Sequence, residues 1–258
     1  MEMKIKPLVV AVALATVGCS MDDAARHQSS EMNATAVATQ TGAKGGVKVA
    51  FLGNSITLHD AAPNIGWTNV WGMAASAEER DYVHLVTRGI ERETGRTAEV
   101  IVRNIADFER NFATYDVRKN LGDVIDFRPD YLVFAIGENV RNLSTDELKE
   151  SYRKTFKALV GAFMSGQTRP RAVVRGVFWR NAAKDAVMER VAGDYAVPFV
   201  PTADLGDDPA MTAKGLFAHG GVAAHPGDKG MAATAARILE KMVTNNVRID
   251  GHGAKGSK

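Results

Sequence analysis

The segment Val47-Lys48-Val49-Ala50-Phe51-Leu52, followed at once by Gly53-Asn54-Ser55-Ile56-Thr57, carries most of the information about the fold of this chain. A short apolar run that contains β-branched and aromatic residues and ends at a glycine is typical of a buried strand. The segment therefore predicts a strand that leads into a sharp turn, with Ser55 just beyond the strand. Functional sites in parallel sheets lie at the carboxyl ends of the strands, so Ser55 is a candidate site residue.

Apolar runs of the same kind recur along the chain and alternate with amphipathic helical stretches. The predicted strands are residues 47–52, 98–102, 131–136, 172–179 and 198–200, and the predicted helices are residues 79–94, 145–163, 182–195 and 229–243. This alternation predicts an α/β protein with a parallel sheet covered by helices on both faces. With 258 residues and 45% hydrophobic content, the chain can form one domain with a sizeable core.

The composition excludes several classes of function. The 32 basic and 30 acidic residues are scattered, the formal net charge is +2 and no basic stripe is present, so nucleic acid is not an expected partner. The sequence has no Walker loop and no Gly-x-Gly-x-x-Gly motif. It also lacks a His-x-x-x-His pair and a cysteine cluster that would bind zinc. We therefore expect neither a metal nor a cofactor.

The first residues have the pattern of a secretory signal. Lys4 and Lys6 precede an apolar run over residues 8–17 that is too short to span a membrane, and Cys19 follows closely. The pattern is similar to a bacterial lipoprotein signal, in which lipid is attached to the cysteine. It predicts a signal peptide over residues 1–19 and a lipid anchor at Cys19 in the bacterial cell envelope. Ordinary cleavage after Ala13-Leu14-Ala15, which would give a soluble periplasmic or secreted protein, is the alternative.

The rest of the chain divides into three parts. Residues 20–46 are polar and rich in Ala, Thr, Ser and Gly, and they predict a flexible linker. Residues 47–246 contain the predicted strands and helices and form the expected domain. Residues 247–258 predict a disordered tail.

The sequence contains candidates for two further catalytic roles: a general base for Ser55 and a hydrogen-bond donor to an oxyanion. Serine is a weak nucleophile unless a neutral imidazole accepts its proton, and His225 lies directly before an Ala-rich helix. His219 is an alternative base. Asn139 follows the third predicted strand, where its amide could stabilise the negative oxygen that forms during acyl transfer. The competing interpretations are an N-cap for Ser55 and a loop-stabilising role for Asn139.

Taken in order, Gly53-Asn54-Ser55-Ile56-Thr57, Gly137-Glu138-Asn139 and His225-Pro226 resemble three sequence blocks of the SGNH, or GDSL-like, hydrolase superfamily. The resemblance implies a flavodoxin-like three-layer α/β/α sandwich, no cofactor, and ester hydrolysis through an acyl-serine. It makes Ser55 the nucleophile and His225 the base. It also assigns the backbone N–H of Ser55 and the side chain of Asn139 to the oxyanion hole.

The sequence departs from the family pattern at two places. The loop after the second strand, residues 104–110, has no glycine, although a glycine N–H there serves the oxyanion hole in the family. Glu109 takes that position, with Asp107 as the alternative. The backbone N–H of Glu109 could still donate to the oxyanion, while the side chain of Glu109 would narrow the pocket. The second departure is Val222, which stands where the family usually has the aspartate that orients the histidine.

Three explanations account for the missing acid. A Ser55–His225 dyad could use a backbone carbonyl to orient the ring. A carboxylate from another loop could reach the imidazole, the candidates being Asp204, Asp228 and Glu138. Alternatively, the domain could have lost catalysis and act only as a glycan-binding or scaffold domain of the envelope.

The substrate is expected to be a small-molecule or polysaccharide ester, with O-acetyl groups on carbohydrate favoured over lipid. The candidate substrate-binding residues are His59, four residues after Ser55, and the pair Trp179 and Arg180 after the fourth strand. An aromatic ring such as Trp179 could stack on a sugar, although aromatic residues also fill cores. The sequence predicts no oligomeric state.

Overall fold

The computed structural model describes residues 45–244, and these form a five-stranded parallel sheet with helices on both faces. The strands lie in the order β2-β1-β3-β4-β5 and comprise β1 (Val47–Gly53), β2 (Ala98–Asn104), β3 (Tyr131–Ala135), β4 (Arg171–Arg175) and β5 (Phe199–Val200). The order in which the chain adds strands reverses at β1, since β2 lies on one side of it and β3, β4 and β5 lie on the other, and such a reversal opens a crevice at the carboxyl ends of the strands. This places the ends of β1 and β3 side by side.

Eight α-helices connect and cover the strands within the described residues. They are α1 (Tyr82–Thr94), α2 (Ala106–Asn111), α3 (Val117–Phe127), α4 (Asp146–Met164), α5 (Ala182–Asp194), α6 (Ala203–Asp207), α7 (Gly220–Ala223) and α8 (Asp228–Thr244). Helices α1 and α8 pack together on one face of the sheet, and α4 and α5 pack together on the other. The predicted three-layer α/β/α architecture is confirmed.

Strand β1 shows why the sheet needs both helical layers. Its side chains alternate between faces: Val49 and Phe51 pack in the core beneath α1 and α8, while Ala50 and Leu52 pack in the core beneath α4 and α5. All four are 0% exposed. Since successive residues of a strand point to opposite faces, a strand that is apolar at every position must be covered on both sides.

The predicted elements are present, with shifted ends. Each of the four predicted helices corresponds to α1, α4, α5 or α8, and Thr145 caps α4 as its position suggested. The predicted strand 172–179 is too long, because β4 ends at Arg175. Helix α3 was not predicted, and it has a kink at Leu121, whose backbone is non-helical.

Several predictions fall outside the described residues. These are the signal peptide over 1–19 with its candidate lipidation site Cys19, nearly all of the linker 20–46, and the tail 247–258. They stay predictions. Within residues 45–244, no helix has both the length and the apolar character needed to cross a bilayer.

Candidate active site

The turn after β1 depends on the close approach of Gly53 and Thr57, which lie on either side of Ser55 in the sequence. A Cβ atom on Gly53 would lie 1.7 Å from Oγ1 of Thr57, so only glycine allows Thr57 to fold back beneath the turn. The hydroxyl of Thr57 is in turn 2.6 Å from the hydroxyl of Tyr82, and both groups are buried. The position that would carry the second glycine of a Gly-x-Ser-x-Gly elbow is therefore occupied by a residue that anchors the turn to α1.

Ser55 and His225, which are 170 residues apart in sequence, are in hydrogen-bond contact. Oγ of Ser55 lies 2.8 Å from Nε2 of His225, and Nδ1 of His225 lies 2.7 Å from the carbonyl oxygen of Gly221. A carbonyl oxygen only accepts hydrogen bonds, so Nδ1 carries the proton. The lone pair of Nε2 then faces Ser55, whose hydroxyl donates to it. This is the tautomer that a general base requires.

Gly221 can serve the histidine because helix α7 (Gly220–Ala223) is a single turn and leaves the Gly221 oxygen without a backbone partner among the described residues. The backbone N–H of His225 donates to the oxygen of Val222, at 3.0 Å, and not to Gly221. The last carbonyls of a helix lack partners within the helix, so the Gly221 oxygen accepts from the imidazole ring. The orienting group of the histidine is thus a backbone dipole four residues earlier.

Burial keeps the imidazole neutral. It is the largest influence on His225 and lowers its pKa below the ordinary 6.5. The hydrogen bond to Gly221 and the charge of Glu138 act in the opposite direction, and the nearby His59 adds to the lowering. A neutral imidazole at pH 7 can accept the proton of a serine hydroxyl.

Trp179 borders the histidine edge-on. The two ring centroids are 5.0 Å apart with planes at 85°, and the indole Nε1 donates to the oxygen of Ala224 at 3.1 Å. The indole is half-buried. Trp179 therefore packs against the imidazole of His225 and is hydrogen-bonded to the residue directly before it in the chain.

The expected oxyanion donors lie at the ends of β1 and β3. The backbone N–H of Ser55 has no hydrogen-bond partner among residues 45–244. The side chain of Asn139 donates one Nδ2 hydrogen to Oε2 of Glu109 at 2.5 Å, and an amide nitrogen has a second hydrogen to give. Gly137 precedes it with a φ of 124°, in the region that favours glycine.

The prediction for Glu109 as a backbone donor is wrong. Its N–H lies inside helix α2 and donates to the oxygen of Ile105 at 3.4 Å. Its side chain does not narrow the pocket, because it is 0% exposed and turned under the loops. Asp107, the alternative at this position, is exposed in the first turn of the same helix.

The carboxylate of Glu109 accepts hydrogen bonds from three residues. It accepts from Nδ2 of Asn54 at 3.0 Å, from Nδ2 of Asn139, and from the backbone N–H of Gly137. Burial, followed by the charge of Glu138, raises the pKa of Glu109 to about 6. The absence of a glycine in the loop after β2 was the one sequence signal for this role.

None of the three carboxylates proposed as relocated acids contacts His225 in the described part of the chain. Asp204 forms two bonds of 2.6 Å to Arg237. Asp228 accepts from Ser76 and Arg80.

Glu138, the third candidate, is 2.8 Å from Arg175 in an ion pair whose side chains are 2% and 1% exposed. The expectation that Asp204, Asp228 or Glu138 orients the ring is therefore wrong, because each has other partners.

Two buried cations support the loop that follows β3, and sequence reasoning missed both. Nη2 of Arg175 donates to Glu138, and Nζ of Lys184 donates to the backbone oxygens of Gly137 and Glu138 at 2.9 and 3.1 Å. Burial lowers the pKa of Lys184. The available signal was Arg175 itself, a charge at the end of an apolar strand.

The remaining predicted residues are placed as follows. His59 is half-buried and near enough to His225 to influence its pKa. Arg180 is exposed and paired with Asp207, Nε to Oδ2, at 2.7 Å. His219 is exposed and accepts from the N–H of Val222 at 3.4 Å as the cap of α7, so it is not the base facing Ser55. Residues 45–244 contain no group of three His, Cys, Asp or Glu side chains suited to a metal ion.

A parallel α/β/α sandwich with a serine–histidine pair at the carboxyl edge of its sheet defines the class of this protein. The sequence model of the GDSL-like lipase/acylhydrolase family matches residues 51–233. The chain belongs to that family, which is the GDSL branch of the SGNH hydrolases. No curated protein sequence is significantly similar to it.

Solved structures with the same fold are distant in sequence. A protein described as a GDSL-like lipase from Parabacteroides merdae is 17% identical, with 76% of this chain and 95% of that chain covered and a TM-score of 0.52. One from Bacteroides uniformis is 15% identical, with 78% and 97% covered and a TM-score of 0.51. A carbohydrate esterase family 2 enzyme with a carbohydrate-binding domain, from Corynascus thermopiles (Myceliophthora fergusii), is 12% identical, with 81% and 69% covered and a TM-score of 0.51.

Proposed function

We propose that this protein is a metal-independent serine esterase that cleaves O-acyl groups through an acyl-serine intermediate. The observation that carries the proposal is the Ser55–His225 contact of 2.8 Å, with the other ring nitrogen of His225 committed to Gly221. This arrangement gives the serine a base in the correct tautomer. Membership of an acylhydrolase family agrees with it.

The reaction follows from the positions of the protons. Oγ of Ser55 bonds to the acyl carbon while its hydrogen passes to Nε2 of His225, and the carbonyl oxygen becomes negative. When the carbon–oxygen bond to the alcohol breaks, the alcohol takes that proton from Nε2. Water then adds to the acyl carbon with Nε2 again accepting a proton, which returns to Oγ as the acid leaves. The N–H of Ser55 and the free Nδ2 hydrogen of Asn139 would face the negative oxygen.

For the substrate, we propose an O-acetyl group on carbohydrate. The half-buried indole of Trp179 borders the reactive imidazole, and tryptophan presents a large apolar surface with a polar edge, which suits a sugar. The carbohydrate esterase of the same fold is a precedent for the architecture. An envelope location through Cys19 would bring the enzyme to polysaccharide, and the intact mass of membrane-fraction protein tests for the lipid.

The test of the reaction is labelling and turnover on the same samples. We expect a fluorophosphonate probe to label the protein once, and aryl acetates and acetylated glycans to be hydrolysed equally with and without EDTA. Ser55→Ala should abolish both, and His225→Ala should remove most of the turnover. Ser144→Ala, at an exposed serine, is the matched control for Ser55→Ala. Activity that is lost in EDTA but kept in Ser55→Ala would refute the proposal.

The second candidate is a catalytically inactive glycan-binding domain on the same fold. The observation that favours it is the Glu109 carboxylate, a negative group bonded to the Asn139 amide that should stabilise an oxyanion. This candidate predicts affinity for the sugar without turnover and without labelling by the probe. Calorimetry with a deacetylated glycan, run beside the labelling experiment, distinguishes the two.

A further inference from the structure

We propose that the buried carboxylate of Glu109 is a positioning residue for the oxyanion hole, fixing the orientation of the Asn139 amide. The inference rests on the proposed esterase function and goes beyond it, since the family places a glycine N–H here and no side chain. It stands on the contact of 2.5 Å between Nδ2 of Asn139 and Oε2 of Glu109. It also stands on the complete burial of Glu109.

The chemistry of the donors requires an ionised group at this place. Nδ2 of Asn54, Nδ2 of Asn139 and the N–H of Gly137 all point to the two oxygens of Glu109. An ionised carboxylate only accepts hydrogen bonds, so it selects the nitrogen end of each amide. A protonated carboxyl would set its own hydrogen against one of these donors, and the amide on that side would have to turn over.

The same argument links Glu109 to the negative oxygen of the reaction. With one Nδ2 hydrogen of Asn139 held by Glu109, the amide cannot rotate freely, and its second hydrogen has a fixed direction. Pre-oriented donors are what an oxyanion hole requires, because no energy is then spent on turning them during the reaction. Glu109 would thus act on the negative oxygen through Asn139 and not through its own N–H.

The charges around Glu109 keep it close to its ionisation point. Glu138 is the nearest like charge and, after burial, contributes most to the raised pKa of about 6. The charge of Glu109 acts to raise the pKa values of Arg175 and Lys184, and it also acts to raise the pKa of the buried Tyr152. Glu109 is therefore ionised at neutral pH and takes up a proton as the pH falls through about 6.

This gives the acid side of the pH profile a distinctive shape. His225 must be neutral and Glu109 must be ionised, and both conditions fail as the pH falls. With two groups required, the logarithm of kcat/KM should approach a slope of two below the lower pKa, whereas one required group gives a slope of one. The wild-type slope therefore reports whether a second titrating group is required, and the variants identify that group.

The decisive variant is Glu109→Gln, which keeps the shape and replaces one acceptor by a donor. Turning the Asn139 amide should lower kcat about 100-fold, as for the loss of one oxyanion donor, with little change in KM. The limiting acid slope should fall from two to one. In an Asn139→Ala background the same substitution should cost almost nothing more, because residues that act as a unit are not additive. Asp107→Asn, on the exposed side of α2, is the matched control and should leave both kcat and slope unchanged.

The possible outcomes separate cleanly. Equal losses in the wild-type and Asn139→Ala backgrounds, or an unchanged kcat in Glu109→Gln with a normal melting curve, would overturn the inference. If Glu109→Gln does not fold, the wild type and Asn139→Ala suffice: slopes of two and one support the inference, and a wild-type slope of one overturns it. A Ser55→Ala protein that still turns over would refute the esterase proposal itself, which is a different result.

Discussion

Nδ1 of His225 lies 2.7 Å from the carbonyl oxygen of Gly221, and no carboxylate within residues 45–244 is hydrogen-bonded to the ring. A carbonyl selects the same tautomer as an aspartate, but it carries no charge to stabilise the imidazolium that forms during the reaction. This leaves burial as the main influence on the ring, and burial lowers the pKa of His225. The contact accounts for how the site keeps its geometry without the acid.

The first prediction concerns Asp204 and Asp228, two of the candidate acids. Asp204→Asn and Asp228→Asn should each leave kcat on an aryl acetate within about tenfold of the wild-type value, whereas loss of a true triad acid costs up to about 10⁴. The reason is that Asp204 pairs with Arg237 and Asp228 with Ser76 and Arg80. A loss near 10⁴ in either variant would contradict the dyad.

The second prediction concerns the buried ion pair of Glu138 and Arg175. Glu138→Gln leaves the guanidinium buried without its counter-charge, so the free energy of unfolding should fall by about 3–5 kcal/mol. Urea denaturation measures it. Glu150→Gln is the control, because its partner Arg153 and Glu150 itself are partly exposed, and it should cost less than about 1 kcal/mol. Equal losses of unfolding free energy in the two variants would show that the buried pair contributes no more to stability than the exposed pair.

The third prediction concerns the position of the missing acid. Val222 is 0% exposed and packs in a cluster with Trp67, Met73, Ala74 and Ala213. Val222→Asp would bury a charge without a partner and should lower the free energy of unfolding by about 3 kcal/mol or more. Val70→Asp, at a valine that is 55% exposed, is the control and should be nearly neutral. A stable and more active Val222→Asp would mean that the cluster can open to admit a triad acid.

The fourth prediction concerns the pH at which His225 titrates. Its pKa should lie below 6.5, because burial disfavours the charged ring. Trp179→Ala uncovers one side of the ring, so it should raise the pKa of His225 and move the acid limb of kcat/KM to higher pH. NMR titration of the imidazole signals measures the pKa of His225 in the wild type and in Trp179→Ala. The pH dependence of kcat/KM measures the shift of the acid limb.

His84 is an internal control in the same spectra. Burial lowers its pKa, but the hydrogen bond and charge of Asp81 and the charge of Glu78 outweigh burial and raise it above 6.5. His84 should titrate above His225 and should not respond to Trp179→Ala. The reverse order would contradict the described environments.

The fifth prediction concerns Gly53. Gly53→Ala would place a methyl group 1.7 Å from Oγ1 of Thr57, and such overpacking should lower the free energy of unfolding by about 1–3 kcal/mol. Gly122→Ala in α3 is the control, since a Cβ there meets nothing within 4 Å, and it should stabilise by about 0.5–1 kcal/mol. If the two variants unfold alike, the close approach of Thr57 does not set the turn.

Local pattern was sufficient for the fold. The apolar run of β1 and the alternation of strands with helices predicted a parallel sheet covered on both faces, because burial on both faces of a parallel sheet demands that pattern. Ser55 and His225 came into one prediction through the need of a serine nucleophile for a base and through the resemblance to the hydrolase superfamily, and the structure places their reactive atoms in contact. Helix α3 was not predicted, and its backbone is non-helical at Leu121.

The sequence by itself determined which segments end at the site, because strand ends are read from local periodicity. Only the tertiary structure decided which atoms face one another there. Glu109 contacts Asn139 and Asn54 across separations of 30 and 55 residues, and Glu138 pairs with Arg175 while His225 pairs with Gly221. These choices depend on the burial of each charge and on the donors around it, which the register of the sheet and the packing of the loops establish together.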